Sequence, residues 1–298
     1  MISFLIPVFN YNCTELVRGL SEQAVAVKRQ ENPRFDFEII VTDDASTNET
    51  LKSTNRLALS QIAGCRYIEL KKNMGRAAIR NFLTRQASFE FLVFIDCDAE
   101  ICSKDFVLSY WNDRDKADII CGSLKTPASA PPPGCELRYT YEKTADPRRS
   151  ISYRQAHPFG CFTTFNIMIK RKVFDKVSFD ERCTEYGYED ALLGLMLEHE
   201  NFSIYHSGNA LVHGGIDSST SFLEKTESSL RTLHRLGEPM QSYAGTSRTA
   251  RKLEILRIKK TAGRLFLLFR SRLYRQLTGR HPSVFLFQLY KLGYYCTL

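Results

Sequence analysis

Short apolar runs closed by polar residues dominate the first 120 positions. Ile2–Ile6 is closed by Pro7, and Phe37-Glu38-Ile39-Ile40-Val41-Thr42 by Asp43-Asp44. Tyr67-Ile68-Glu69-Leu70 follows, then Phe91–Ile95 closed by Asp96, and Ile119-Ile120-Cys121 is a candidate fifth run. Runs of this length fit buried parallel strands, and intervals of roughly 20–30 residues between them suit crossover helices. Helix starts are legible in two intervals. Ser46-Thr47-Asn48-Glu49 has the form of a capping box with Ser46 as cap, and Asn73-Met74-Gly75 precedes the helix-forming stretch from Arg76 to Leu83. The pattern predicts an α/β fold with an open, mostly parallel sheet flanked by helices. Such sheets bind ligands beyond the carboxyl ends of their strands, so the polar residues that close the runs are the first candidates for chemistry.

Between Gly122 and Pro158 the pattern breaks. Ala130-Pro131-Pro132-Pro133-Gly134 admits neither helix nor central strand, which predicts a long irregular segment of the kind that often carries function. A second ordered block is expected from Phe162 to about Ile216. From Ser221 onward the chain reads as helical, with a break near Gly279, His281 and Pro282. The expected division is therefore 1–220 and a helical extension, 221–298.

Composition narrows the class. The 298 residues are 43% hydrophobic and 25% charged, which excludes a disordered or fibrous chain. No stretch reaches the roughly 18 uninterrupted apolar residues of a spanning helix. The N-terminus lacks the basic start of a secretory signal and reads as a first strand. Nine cysteines without a CxxC pair are expected to be free thiols in a reducing compartment, and no Cys/His cluster has zinc-ligand spacing. The expected location is cytoplasmic, peripheral to a membrane if the basic tail described below engages one.

Asp96-Cys97-Asp98 is the sharpest chemical feature. In extended backbone, side chains two apart point the same way, so both carboxylates would face one spot at the end of a buried strand. Two such charges repel unless a cation lies between them, and oxygen ligands suit Mn²⁺ or Mg²⁺. Asp43-Asp44 is a second acidic pair at a strand end. It can serve as an ordinary strand-to-helix turn or as an acceptor for a nucleobase N–H.

These residues stand in a recognisable order. Pro7-Val8-Phe9-Asn10, Val41-Thr42-Asp43-Asp44-Ala45-Ser46, Asn73-Met74-Gly75-Arg76 through Arg80-Asn81, and Phe94-Ile95-Asp96-Cys97-Asp98 are followed by Phe165-Asn166, Arg171–Phe174, Phe179-Asp180-Glu181, Gly187-Tyr188-Glu189-Asp190 and Val212-His213-Gly214. The set resembles the inverting A-fold (GT-A) glycosyltransferases of the family-2 type over about residues 1–216. The resemblance implies a catalytic domain over 1–220 that moves a sugar from a nucleotide-sugar donor to a glycan or lipid-linked acceptor hydroxyl. By family habit the carrier is UDP. It implies that Pro7, Phe9, Asn10, Asp43, Asp44 and Arg76 surround the nucleotide. Asp96 would face the ribose directly or through metal, Asp98 and His213 would ligate Mn²⁺ or Mg²⁺, Asp190 would be the catalytic base, and Glu189 would touch the acceptor. The alternative for the Glu189-Asp190 pair is a favourable acidic first turn of a helix. Ala45 stands where glycine is usual in the family. The Gln-x-x-Arg-Trp motif of polymer-threading members is absent, which implies non-processive transfer.

The charge is uneven. Residues 246–298 hold twelve Lys or Arg against Glu254 alone, a net +11, whereas the rest of the chain carries −3. Bases in that tail are interleaved with Leu, Ile and Phe. A cationic amphipathic helix of this kind suits an anionic membrane surface; the alternative is packing of its apolar face on protein. No RNA-recognition motif accompanies the bases, so no nucleic acid partner is expected. The competing function is a catalytically inactive nucleotide-sugar-binding module that recruits partners through the tail.

Overall fold

Ile2–Val8 forms β1, buried on both faces along almost its whole length, which is what a central strand of a covered sheet requires. The computed structural model describes residues 1–31 and 34–298. Among these, β1 is joined by β2 (Phe37–Asp43), β3 (Cys65–Glu69), β4 (Phe91–Ile95), β5 (Ala99–Ile101), β6 (Ile119–Lys125), β7 (Asn166–Lys170) and β8 (Ile204–His213). The spatial order is β3-β2-β1-β4-β7-β6-β8-β5. β1, β2, β3 and β4 are mutually parallel. β7 runs against β4 and β6, β8 runs with β6, and β5 runs against β8. The sheet is thus mostly parallel, as the pattern predicts, with two reversed strands that the apolar runs do not announce.

Five helices, α1 (Thr14–Glu31), α2 (Glu49–Leu59), α3 (Arg76–Gln86), α4 (Phe106–Asp113) and α6 (Ile151–Ala156), and a sixth, α7 (Glu189–His199), belong with this sheet; α5 (Glu136–Ala145) does not. In α1 the buried positions Leu16, Val17, Leu20, Ala24 and Val27 recur at helical spacing and face β1, β2 and β4 in one core. The chain order doubles back between β1 and β4. That reversal opens a crevice at their carboxyl ends, bounded by Phe9-Asn10 on one side and Asp96–Asp98 on the other.

The described residues divide into two compact units. One is Met1–Thr126, Pro147–Thr184 and Glu189–Gly215; the other is Pro127–Asp146, Glu185–Tyr188 and Ile216–Leu298. The second unit is helical: α5, α8 (Ser219–Leu236), α9 (Met240–Tyr243), α10 (Gly245–Ile255), α11 (Lys259–Leu277) and α12 (Val284–Tyr295). Its core is aromatic, with Phe222, Phe266, Phe287 and Tyr290 around Leu137, Leu223 and Leu277. A Cβ at Gly293 would collide with the Phe266 ring, so this glycine sets how closely α11 and α12 approach. The expected helical break falls between Leu277 and Val284, where Ser283 caps α12 through the Leu286 N–H at 3.3 Å. The stretch from Gly122 to Pro158 is less irregular than expected. The Pro-rich run only delays helix formation, and α5 and α6 start once it has passed. Among the described residues, no helix is long and apolar enough to cross a membrane.

Candidate active site

The crevice edge begins where β1 ends. Pro7 is paired in register with Thr42, and Phe9 is 47% exposed, an unusual exposure for a large aromatic ring at a strand end. Asn10 takes a left-handed backbone (φ 52°), and its Oδ1 accepts the N–H groups of Thr47 and Asn48, each at 2.9 Å. Its own N–H donates to Ser46 Oγ at 2.8 Å. Ser46 is therefore occupied by Asn10 and does not cap α2. The cap is Asn48, which accepts from the Leu51 N–H at 3.1 Å.

The two aspartates after β2 have separate tasks. Asp43 is fully buried, with Oδ1 accepting from the Ser46 N–H at 2.6 Å and Oδ2 from the Tyr67 hydroxyl at 2.9 Å. Both oxygens thus accept hydrogen bonds from within the fold, and Asp43 shapes the turn. Asp44 accepts from the Met74 N–H at 2.6 Å and the Gly75 N–H at 3.1 Å, which fixes the 73–75 loop at the head of α3. Burial pushes the Asp44 carboxyl above its ordinary value.

The Asp96-Cys97-Asp98 segment is not extended. The Ala99 N–H donates to the Asp96 carbonyl at 3.1 Å, closing a turn, and the two carboxylates take different partners. Asp96 faces arginines: Arg80 donates to Oδ1 at 2.7 Å and Arg76 to Oδ2 at 3.4 Å. Asp96 is thus held by two guanidinium groups, whereas Asp98 takes a different partner. Among the described residues, no three His, Cys, Asp or Glu side chains gather into a metal-holding group.

Asp98 and His213 do come together. β5 pairs antiparallel with the end of β8, with Ala99 opposite His213, and His213 Nε2 lies 3.2 Å from Asp98 Oδ2. Gly215 lets the backbone close over this pair, because a Cβ there would collide with the Asp98 carboxylate. Asp98 Oδ1 is buried without a hydrogen-bond partner among the described residues. Burial raises the Asp98 pKa, but the hydrogen bond and charge of His213, with Arg76, outweigh it and hold the carboxyl below its ordinary value. Tyr11 is pushed up to about 12 by burial and by the Asp98 charge. An anionic carboxylate with an orphaned oxygen beside an imidazole is an O/N donor pair that fits Mn²⁺ or Mg²⁺, with the remaining positions left to ligand oxygens.

Glu189 and Asp190 open α7. Thr164 holds Asp190 through its hydroxyl at 2.5 Å and its N–H at 3.1 Å. Glu189 is buried, accepts from Arg76 Nε at 2.5 Å and lies 3.7 Å from Arg80 Nη1. It holds the arginines and does not face solvent. Two short routes of contact leave this helix start, one reaching the Asp98–His213 pair and the other ending at Asp96. One runs from Asp190 to Thr164 and then Phe165, whose ring stacks edge-on against His213 at 5.6 Å. The other runs from Glu189 through Arg76 and Arg80 to Asp96. Arg80 is 1% exposed and links the two acids. The apolar periodicity of α3 held the clue: Arg80 lies between Ile79 and Leu83 on the buried face. Thr164 carried no sequence signal.

The sequence profile of Glycosyl transferase family 2 matches residues 3–178. Poly(ribitol-phosphate) beta-glucosyltransferase of Bacillus spizizenii is 33% identical over 126 residues, 42% of this chain and 19% of that protein. Teichoic acid poly(glycerol phosphate) polymerase of Staphylococcus epidermidis is 29% identical over 117 residues, 39% of this chain and 16% of that protein. The match thus spans less than a fifth of the length of these curated relatives. Among solved structures, the mannosyltransferase PcManGT from Pyrobaculum calidifontis, in complex with GDP-Man and Mn²⁺, shares the fold. It gives a TM-score of 0.53 at 13% identity, covering 98% of this chain and 86% of that one.

Proposed function

We propose that this chain, which belongs to glycosyl transferase family 2, transfers a sugar from a nucleotide-sugar donor to an acceptor hydroxyl, with inversion at the anomeric carbon and without processive extension. One observation carries the reading: the Asp98–His213 pair with its orphaned carboxylate oxygen lies at the carboxyl edge of the sheet, linked through Thr164 and Phe165 to Asp190.

The exposed Phe9 ring offers a face for the nucleobase, beside the loop that Asp44 and Asn10 hold in shape. Asp98 and His213 would hold a divalent ion, which supplies positive charge to a departing diphosphate when bound. Arg76, half-exposed between Asp96 and Glu189, adds a fixed positive charge on the same side. Asp190 accepts the proton of the acceptor hydroxyl as it attacks the anomeric carbon, and Thr164 fixes the carboxylate through two donors. The Thr163 hydroxyl adds a third donor at 3.4 Å, and a carboxylate has about four acceptor sites, so one remains for the acceptor. Base and leaving group on opposite sides of the anomeric carbon give inversion. The two curated relatives are named for polyol-phosphate polymers. A hydroxyl-rich polymer or lipid-linked glycan is the acceptor class proposed for this chain.

A thermal-shift panel of UDP- and GDP-sugars with Mn²⁺ identifies the donor, and calorimetric titration of the tightest one tests the site. Mn²⁺ is expected to strengthen donor binding about tenfold or more in the wild type and to have no effect in Asp98→Asn. Equal Mn²⁺ dependence in both would remove Asp98 from the site.

A further inference from the structure

We propose that the outward face of α11, with the adjoining 255–260 segment, docks on an anionic lipid bilayer surface. The inference concerns the second unit alone and does not rest on the transfer reaction. Over its 19 residues α11 turns Gly263, Phe266 and Leu277 inward. By helical spacing, Arg264, Leu265, Leu268, Arg272 and Arg275 share the opposite face. Leu265 is 54% exposed and Leu268 78% exposed. Just before the helix, Ile255, Leu256 and Ile258 are also exposed, beside Arg257 and Lys260.

The arginines of the outward face differ from their neighbour on the inward side. Arg270 donates to Glu227 at 2.9 Å. Arg264, Arg272 and Arg275 have no ion pair among the described residues, so their charge is available to a partner. Three features select the bilayer among possible partners. The interleaved leucines have no use on a soluble polyanion, which recognises charge alone. A second copy of the chain would bring two +11 segments together, and like charges oppose that contact. The helix carries too many charges to span, and no helix among the described residues can cross a membrane, so it lies in the interface plane with leucines down and arginine stems extended to the headgroups.

Co-sedimentation of the full chain with vesicles of pure phosphatidylcholine, and of phosphatidylcholine with about 30% phosphatidylserine, tests the proposal. Binding to the anionic vesicles is expected, at least about tenfold stronger than to neutral ones and weakened by 0.5 M salt. Each basic residue near such a surface contributes about a fivefold factor, so Arg264→Glu/Arg272→Glu/Arg275→Glu is expected to lose more than about a hundredfold. Leu265→Gln/Leu268→Gln is expected to lose about tenfold or more with its melting temperature unchanged. No binding to anionic vesicles overturns the proposal. Undiminished binding in the leucine variant also overturns it, because it reduces the face to a polyanion site. A dimer in light scattering that the leucine variant abolishes, without vesicle binding, overturns it in favour of self-association.

Discussion

Arginine has opposite uses in the two units. In the sheet unit, Arg80 is buried between Asp96 and Glu189, Arg171 donates to the carbonyls of Ala87 and Phe89 at 2.7 Å each, and buried Arg154 donates to the Ser207 carbonyl at 2.6 Å. Each guanidinium ties together segments distant in sequence, as its planar set of donors allows. In the helical unit, Arg264, Arg272 and Arg275 stand exposed on one side of α11 without ion pairs among the described residues. The contrast teaches that the net charge of +8 says little about the crevice. Positive charge there is organised by burial around carboxylates, whereas the excess that sets the isoelectric point lies in the other unit.

The comparison breaks most readily at Arg80. Arg80→Met leaves Asp96 and Glu189 without a buried counter-charge, and equilibrium urea unfolding should show a loss of about 3–5 kcal/mol. Arg272→Ser, on the exposed face, should stay within about 0.5 kcal/mol of wild type. Similar losses in both would abolish the distinction.

Acid sharpens it next. Asp118 accepts from Lys172 at 2.8 Å and from the Ser203 hydroxyl at 2.7 Å. Burial raises its pKa, but these partners outweigh burial and bring the carboxyl down to about 2. Because the folded value lies below the unfolded value of about 3.9, the stabilisation is complete above roughly pH 4 and is lost as pH falls through about 2. Stability measured against pH should therefore fall across that interval in the wild type and fall less steeply in Asp118→Asn, which starts from a lower plateau. Parallel curves would show that the Asp118 pair contributes nothing.

The smallest expected effect is a gain. Ala45 holds φ 59° in the turn after β2, a backbone region that disfavours a side chain. Ala45→Gly should raise the melting temperature slightly, by up to about 1 kcal/mol of stability. A loss would show that the Ala45 methyl makes contacts that outweigh the strain.

Much of this architecture was legible because buried parallel strands announce themselves as apolar runs: β1 to β4 and β6 follow the runs closely. β5 was not, since Ala99-Glu100-Ile101 is too short to show a period, and yet it delivers Asp98 to His213. The reversal of β7 was not legible either, because a buried run reads the same in both directions. At the site, the order of motifs singled out the candidate residues, but their hydrogen-bond partners depended on backbone shape. Asp96 and Asp98 take different partners where a turn replaces the extended segment, and Ser46 gave up its capping role because Asn10, 36 residues earlier, reaches it first. Long-range contacts of that kind leave no local trace.

The central claim, that the Asp98–His213 pair and Asp190 serve one donor molecule, is tested most directly by single-turnover transfer in Asp190→Asn with donor affinity measured on the same sample. A fall of about 10²–10⁴-fold in the transfer rate, with donor affinity within about twofold of wild type, is the predicted result. Wild-type transfer in the variant, or loss of donor binding in step with loss of transfer, would contradict it.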